Sequence, residues 1–129
     1  MEEYLTQPEA LVMEEMAQIH RLMLQEMDRD ADAQELYLEL LKKANEYAQI
    51  RSSWYLMPED ERWDTDERRT MVHDSLIVKF NQLARYLKMQ GKEAVWRDML
   101  KDEKENPYIR KRIGDMGCYL VFISSLHAR

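Results

Sequence analysis

The chain has 129 residues and a formal net charge of −6, with 34% charged and 45% hydrophobic residues. That length suits one domain with a core of its own, and three glycines with three prolines are too few for the many turns of an all-β fold. The lone Cys118 excludes an internal disulfide, and the acidic start Met-Glu-Glu-Tyr lacks the basic and apolar segments of a secretory signal, so a cytoplasmic location is expected.

Leu, Met, Ala, Glu, Lys, Arg and Gln dominate the composition, and all are good helix formers. The expectation is an all-α fold: a single domain, built as an antiparallel bundle of four long helices plus one short helix. The first is predicted over residues 7–28, with Thr6 as N-cap and Glu9 completing a capping box. Val12, Met16, Ile19, Met23 and Met27 fall at helical spacing along one stripe. Met13, Met16, Met23 and Met27 make this helix rich in methionine. They serve either as gap-filling core or as an adaptable surface for a protein partner.

Asp30 and Asp32 mark a turn, and the second helix is predicted over residues 33–55. Ala33, Tyr37, Leu40, Ala44, Tyr47, Arg51 and Trp54 alternate spacings of four and three, as in a short coiled-coil seam. Arg51 is the odd member, and its guanidinium must reach the edge of the seam or find a carboxylate. Met57-Pro58-Glu59-Asp60-Glu61 reads as a linker.

The third helix is predicted over residues 65–90, capped by Asp64 and ended by Gly91. Val72, Leu76, Phe80, Leu83 and Leu87 form its core face. Beside that face runs a polar stripe, Asp74, Asn81 and Arg85, spaced by seven and four. A short fourth helix over residues 93–100 presents Val95, Trp96 and Met99, and residues 101–105 form a charged connector. The fifth helix, residues 107–127, has Asn106 as N-cap and Pro107 at the first helical position, where a missing N–H costs nothing.

That last helix contains the least charged stretch of the chain. From Ile113 to Leu126 it reads I-G-D-M-G-C-Y-L-V-F-I-S-S-L, with Asp115 the only formal charge. Ile109, Ile113, Met116, Leu120 and Ile123 make one stripe. Tyr108, Arg112, Asp115, Tyr119, Phe122 and Leu126 make a second beside it. Gly114, Gly117 and Cys118 are small enough to let a neighbouring helix approach. The run is too short for a membrane span, and a helix apolar on two faces points to a homodimer.

Charges bordering a core are costly unless paired. Inter-helix pairing is therefore expected among Asp74, Arg85, Arg112 and Asp115, with Arg85–Asp115 and Asp74–Arg112 as the couples. The same residues, with Asn81, Trp96 and Tyr119, are candidates for a buried polar network or a small pocket.

The chain is electrostatically lopsided. Residues 1–65 carry 16 acids and 6 bases, whereas residues 66–129 carry 9 acids and 13 bases. The basic residues Arg68, Arg69, Lys79, Arg85, Lys88, Lys92 and Arg97 gather with Tyr86 and Trp96. Glu93, Asp98 and the net negative charge argue against nucleic acid as a partner. His20, His73 and His127 fall on three separate helices with no ligand spacing, so no metal is expected. No phosphate-cradling glycine loop appears and no cofactor is expected. A thiol inside an apolar run is inert, so Cys118 is read as packing.

One spacing has enzymatic overtones. Arg68 and His73, five residues apart, resemble the R-x4–6-H motif of HEPN-type ribonucleases, which are all-α and usually dimeric. The match covers those two residues, and Arg69 follows where that family commonly carries Asn, Asp or His. The resemblance implies metal-independent RNA cleavage, with His73 as general acid or base and Arg68 stabilising phosphate charge. The main expectation is non-enzymatic: a helical-bundle protein acting through protein–protein contact and self-association.

Overall fold

The computed structural model describes residues 2–101 and 112–127, with side chains described over 13–54, 56–101 and 112–126. Those residues are helical throughout apart from short connections. The helices are α1 (Glu2–Met27), α2 (Ala31–Leu56), α3 (Glu59–Met89), α4 (Val95–Asp98) and α5 (Arg112–His127). The expected all-α bundle of four long helices and one short one is the observed architecture. No helix among the described residues is long and apolar enough to cross a membrane.

Two helices begin earlier than their caps suggest. α1 starts at Glu2, so Thr6 lies within the helix and is not its N-cap. α3 starts at Glu59, so the segment read as a linker shrinks to Met57 and Pro58. Proline ends α2 because it cannot continue the hydrogen-bond ladder. Its fixed φ then suits the residue just before a helix. Glu59, Asp60 and Glu61 occupy the first turn of α3, where carboxylates face the positive end of the helix dipole. The acidic cluster is thus a helix start.

The other ends follow local chemistry. Asp30 caps α2, its Oδ1 accepting from the Ala33 N–H at 3.0 Å. At the end of α3, Lys92 N–H donates to Leu87 C=O at 2.9 Å and Gly91 N–H to Lys88 C=O at 3.1 Å. That is a Schellman close, and Gly91 takes the φ of +85° it requires. The expected cap at Asn106 and Pro107, along with Tyr108 and Ile109 of the α5 stripes, lies outside the described residues.

α2 is the centre of the bundle. Contacts with α3 run in antiparallel register: Arg62 stacks on the Trp54 ring at 4.6 Å, His73 meets Tyr47 at 5.4 Å, and Tyr86 donates to Asp30 at 2.8 Å. α5 also lies antiparallel to α2, with Gly114 against Tyr47 and Gly117 against Ala44. α1 is antiparallel to α2 and runs alongside α5 in the same direction, through Glu15–Arg112 and His20–Tyr119. Met16, Ile19, Leu40, Ala44, Leu76, Phe80, Leu83, Met116 and Leu120 fill the space between them. Burial at this level contributes on the order of 1.5–3 kcal/mol for each large side chain.

α4 closes one end. It is shorter than the predicted 93–100 because Ala94, the residue before it, has a left-handed φ of +50° that no regular helix accommodates. The Glu26 carboxylate of α1 holds this turn, accepting from Ala94 N–H at 3.0 Å and from the Trp96 indole N–H at 2.7 Å. Trp96 is fully buried, with its ring 6.4 Å from Phe80.

Candidate functional site

The expected network does not exist as one unit. α3 shows why: its core line is Val72, Leu76, Phe80, Leu83, Ala84 and Leu87. At about 100° per residue, Asp74 and Arg85 lie about 160–180° around the helix from Leu76. Both are exposed, and neither Arg85–Asp115 nor Asp74–Arg112 forms. The polar residues separate instead into three groups.

The first group joins α2 to α5. Arg51 Nη1 donates to Asp115 Oδ1 at 3.0 Å and lies 3.8 Å from Cys118 Sγ. The Arg51 and Asp115 side chains are 21% and 23% exposed. Burial opposes the Arg51 charge, but the surroundings, with the Asp115 carboxylate as its charged partner, outweigh it and raise its pKa above the ordinary arginine value. Burial pushes the Cys118 thiol up while Arg51 draws it down, and burial prevails. A thiol kept protonated is a poor nucleophile, so this group is chemically quiet. Arg51 on the seam of α2 thus finds its carboxylate, and the single charge of the apolar run is that carboxylate.

The second group lies between α1, α2 and α5. Tyr119 presents its ring edge-on to His20 at 5.9 Å, and His20 Nε2 is hydrogen-bonded to the Tyr37 hydroxyl at 3.0 Å. Burial, with a smaller contribution from Tyr119, pushes the Tyr37 phenol up to about 12. Nearby, Arg112 pairs with Glu15 and its Nε donates to the Met99 carbonyl at 2.7 Å. Arg112 therefore ties the first turn of α5 to α1 and to the end of α4.

The third group is on the outer side of α3, where α4 packs. Arg97 Nε donates to Asn81 Oδ1 at 2.7 Å, and both line a shallow cleft with Ala84, Arg85, Lys88 and Met89. Trp96, expected beside Asn81 and Arg85, faces the opposite way toward Glu26 and lines a separate cleft with Leu22, Gln25, Gly91 and Lys92. Sequence reasoning missed Glu15 and Glu26, and weighed His20 only as a metal ligand and Arg97 only as part of a basic cluster. Each sits next to an apolar stripe, and that position was the available signal.

The remaining candidates are dispersed. Arg68 is exposed and lines a cleft with Gln49, Ile50, Ser53, Met57, Asp64 and Thr65. His73 is half-buried against Tyr47, about 140° further around the helix, and does not line that cleft. Of the four methionines on α1, Met16, Met23 and Met27 are buried in the chain's own core and only Met13 is exposed. They fill gaps between helices and do not form a surface groove. Among the described residues no group of three His, Cys, Asp or Glu side chains could hold a metal ion. The geometry thus assembles structural pairs, one aromatic cluster and one cationic cleft. No protein-family model, curated protein or solved structure matches the chain.

Proposed function

We propose that this bundle acts through protein–protein contact and associates with a copy of itself along the outer stripe of α5. The observation that carries the reading is the path of that stripe. Asp115 and Tyr119 are engaged with α2 and α1, yet the same line of residues continues to Phe122 and Leu126, which are 49% and 51% exposed. Both side chains are already about half covered, so full cover would gain about 0.7–1.5 kcal/mol each. A two-fold contact would bury four of them.

Sedimentation at micromolar concentration tests this. The expected mass is about twice 15.6 kDa, falling to the monomer in Phe122→Glu/Leu126→Glu. A wild-type protein that stays monomeric at every concentration refutes self-association. The ribonuclease reading has no geometric observation in its favour, since His73 does not line the cleft that Arg68 lines. RNA cleavage that is lost in His73→Ala would restore it.

A further inference from the structure

The cationic cleft on α3 has a composition that its surroundings do not explain. It encloses about 460 Å³. Asn81, Ala84, Arg85, Lys88 and Met89 form its wall at the spacings of one helix face, and Arg97 reaches in from α4. Three of the six lining residues are cationic and none is acidic, in a chain whose net charge is −6. Two other cations of α3 are paired. Arg69 is matched by Asp66 at 2.7 Å and Lys79 by Glu39 at 4.0 Å. Among the described residues, no carboxylate stands within ion-pair distance of Arg85 or Lys88.

The cleft is also partly organised in advance. The Asn81 amide oxygen holds Arg97 Nε at 2.7 Å, which fixes the plane of the guanidinium at the edge of the cleft. A guanidinium fixed in this way holds its charge beside the cleft with little further loss of conformational freedom. Arg85 and Lys88 stand side by side on one helix face as like charges, and an anion placed between them removes their repulsion. The exposed Arg85 guanidinium can match paired oxygens, and the Lys88 ammonium adds a point charge. Ala84 and Met89 add an apolar wall beside the charges.

We propose that this cleft binds a small anion carrying a phosphate or pyrophosphate group, held by Arg85, Lys88 and Arg97. A nucleic-acid backbone fits less well, because the acidic balance of the whole chain opposes an extended polyanion. The site is independent of any association through α5.

Titration of inorganic pyrophosphate into isotope-labelled protein, followed by NMR, is the test. Saturable shifts are expected at the Asn81 side-chain amide and the Arg97 Nε–H, with the remote Gly114 amide unmoved. Arg85→Ala/Lys88→Ala removes two exposed side chains, so the circular dichroism should be unchanged while binding weakens about tenfold or more. AMP run in parallel separates two sources of the same chemistry. Tighter binding of AMP points to an organic phosphate and tighter binding of pyrophosphate to a free one, and either supports the site. Four results overturn it: no saturation by about 10 mM, beyond the millimolar range of a weak specific site; an equal response to chloride at matched ionic strength; undiminished binding in the double variant; or a short RNA that binds more tightly and shifts residues across the whole bundle.

Discussion

Removing the Asp115 carboxylate should leave Arg51 as a half-buried cation facing only the Cys118 sulfur. The pair is bonded at 3.0 Å, and about four-fifths of each side chain is out of water. A hydrogen bond to a charged group contributes about 1.5–3 kcal/mol, and stranding one partner adds part of its desolvation cost. Residual exposure lets water reach the guanidinium, so the lower part of that range applies: Asp115→Ala should cost about 2 kcal/mol. Arg51→Met keeps much of the packed stem but strands the carboxylate, and should cost a similar amount. The double variant strands neither charge. Its loss should therefore fall short of the sum of the singles by about 1–2 kcal/mol. Urea unfolding followed by far-UV circular dichroism measures all three, and for a chain of this size each kcal/mol shifts the melting temperature by about 3–5 °C. Additive losses, or a change within about 0.5 kcal/mol for Asp115→Ala, would refute the pairing as an energetic link between α2 and α5.

The two glycines of α5 should respond differently to alanine. A Cβ on Gly114 would stand 2.8 Å from the Tyr47 hydroxyl and 3.1–3.2 Å from its ring, a rigid obstacle, so Gly114→Ala should destabilise by about 1–3 kcal/mol in urea melts. At Gly117 the short contact is the mobile Leu76 Cδ2 at 2.8 Å, and the gain in helix propensity of about 1 kcal/mol offsets most of the cost. Glu26→Ala frees both the Ala94 N–H and the Trp96 indole and should cost about 2–4 kcal/mol with a red-shifted tryptophan emission. Glu26→Gln, which can accept only one of the two bonds, should lie between it and the wild type. Asp30 offers a test by pH. Accepting from Ala33 N–H and from Tyr86 lowers its carboxyl below the usual 3.8. Its contribution is therefore present above that value and is lost as pH falls through the lower folded one. The gap in melting temperature between wild type and Asp30→Asn should be constant near neutrality and close in acid; a gap that widens toward low pH contradicts the assignment.

Much of the fold is legible in the residues because helix periodicity is a strong signal. Ile19, Met23, Leu40, Ala44, Leu76, Phe80, Leu83 and Leu120 are read as core and are core. The Gly91 stop is read correctly because only one residue type takes that φ cheaply. The early start of α3 is hidden by a conflict of local signals. Glu59-Asp60-Glu61 resembles a solvated linker, yet three acids after a proline also suit the dipole of a new helix. The pairings fail for a different reason. Periodicity assigns a residue to a face of its own helix but does not say which neighbour that face meets. Asp115 and Arg51 each need a partner on sequence grounds, and only tertiary packing shows that they are each other's. For Asp74 and Arg85, helical arithmetic already places them away from the core line, and the structure agrees with the arithmetic.

The choice of neighbour can itself be traced to small residues. α5 reaches α2 at Gly114 and Gly117, opposite Tyr47 and Ala44; a Cβ on Gly114 would press on the Tyr47 ring, and at Gly117 the Ala44 Cβ is 3.6 Å from where one would stand. Close approach there turns the Asp115 side of α5 toward α2 and brings its carboxylate within reach of Arg51. The rotation that satisfies Asp115 also fixes what happens two turns later. Phe122 and Leu126 lie on the same line of the helix, where they are about half exposed. Rotating α5 to cover them would strand Asp115 and drive Gly114 and Gly117 off their partners. The exposed apolar end is therefore a consequence of how the buried end is held. A second surface, rather than a repacking of the bundle, is what can cover it.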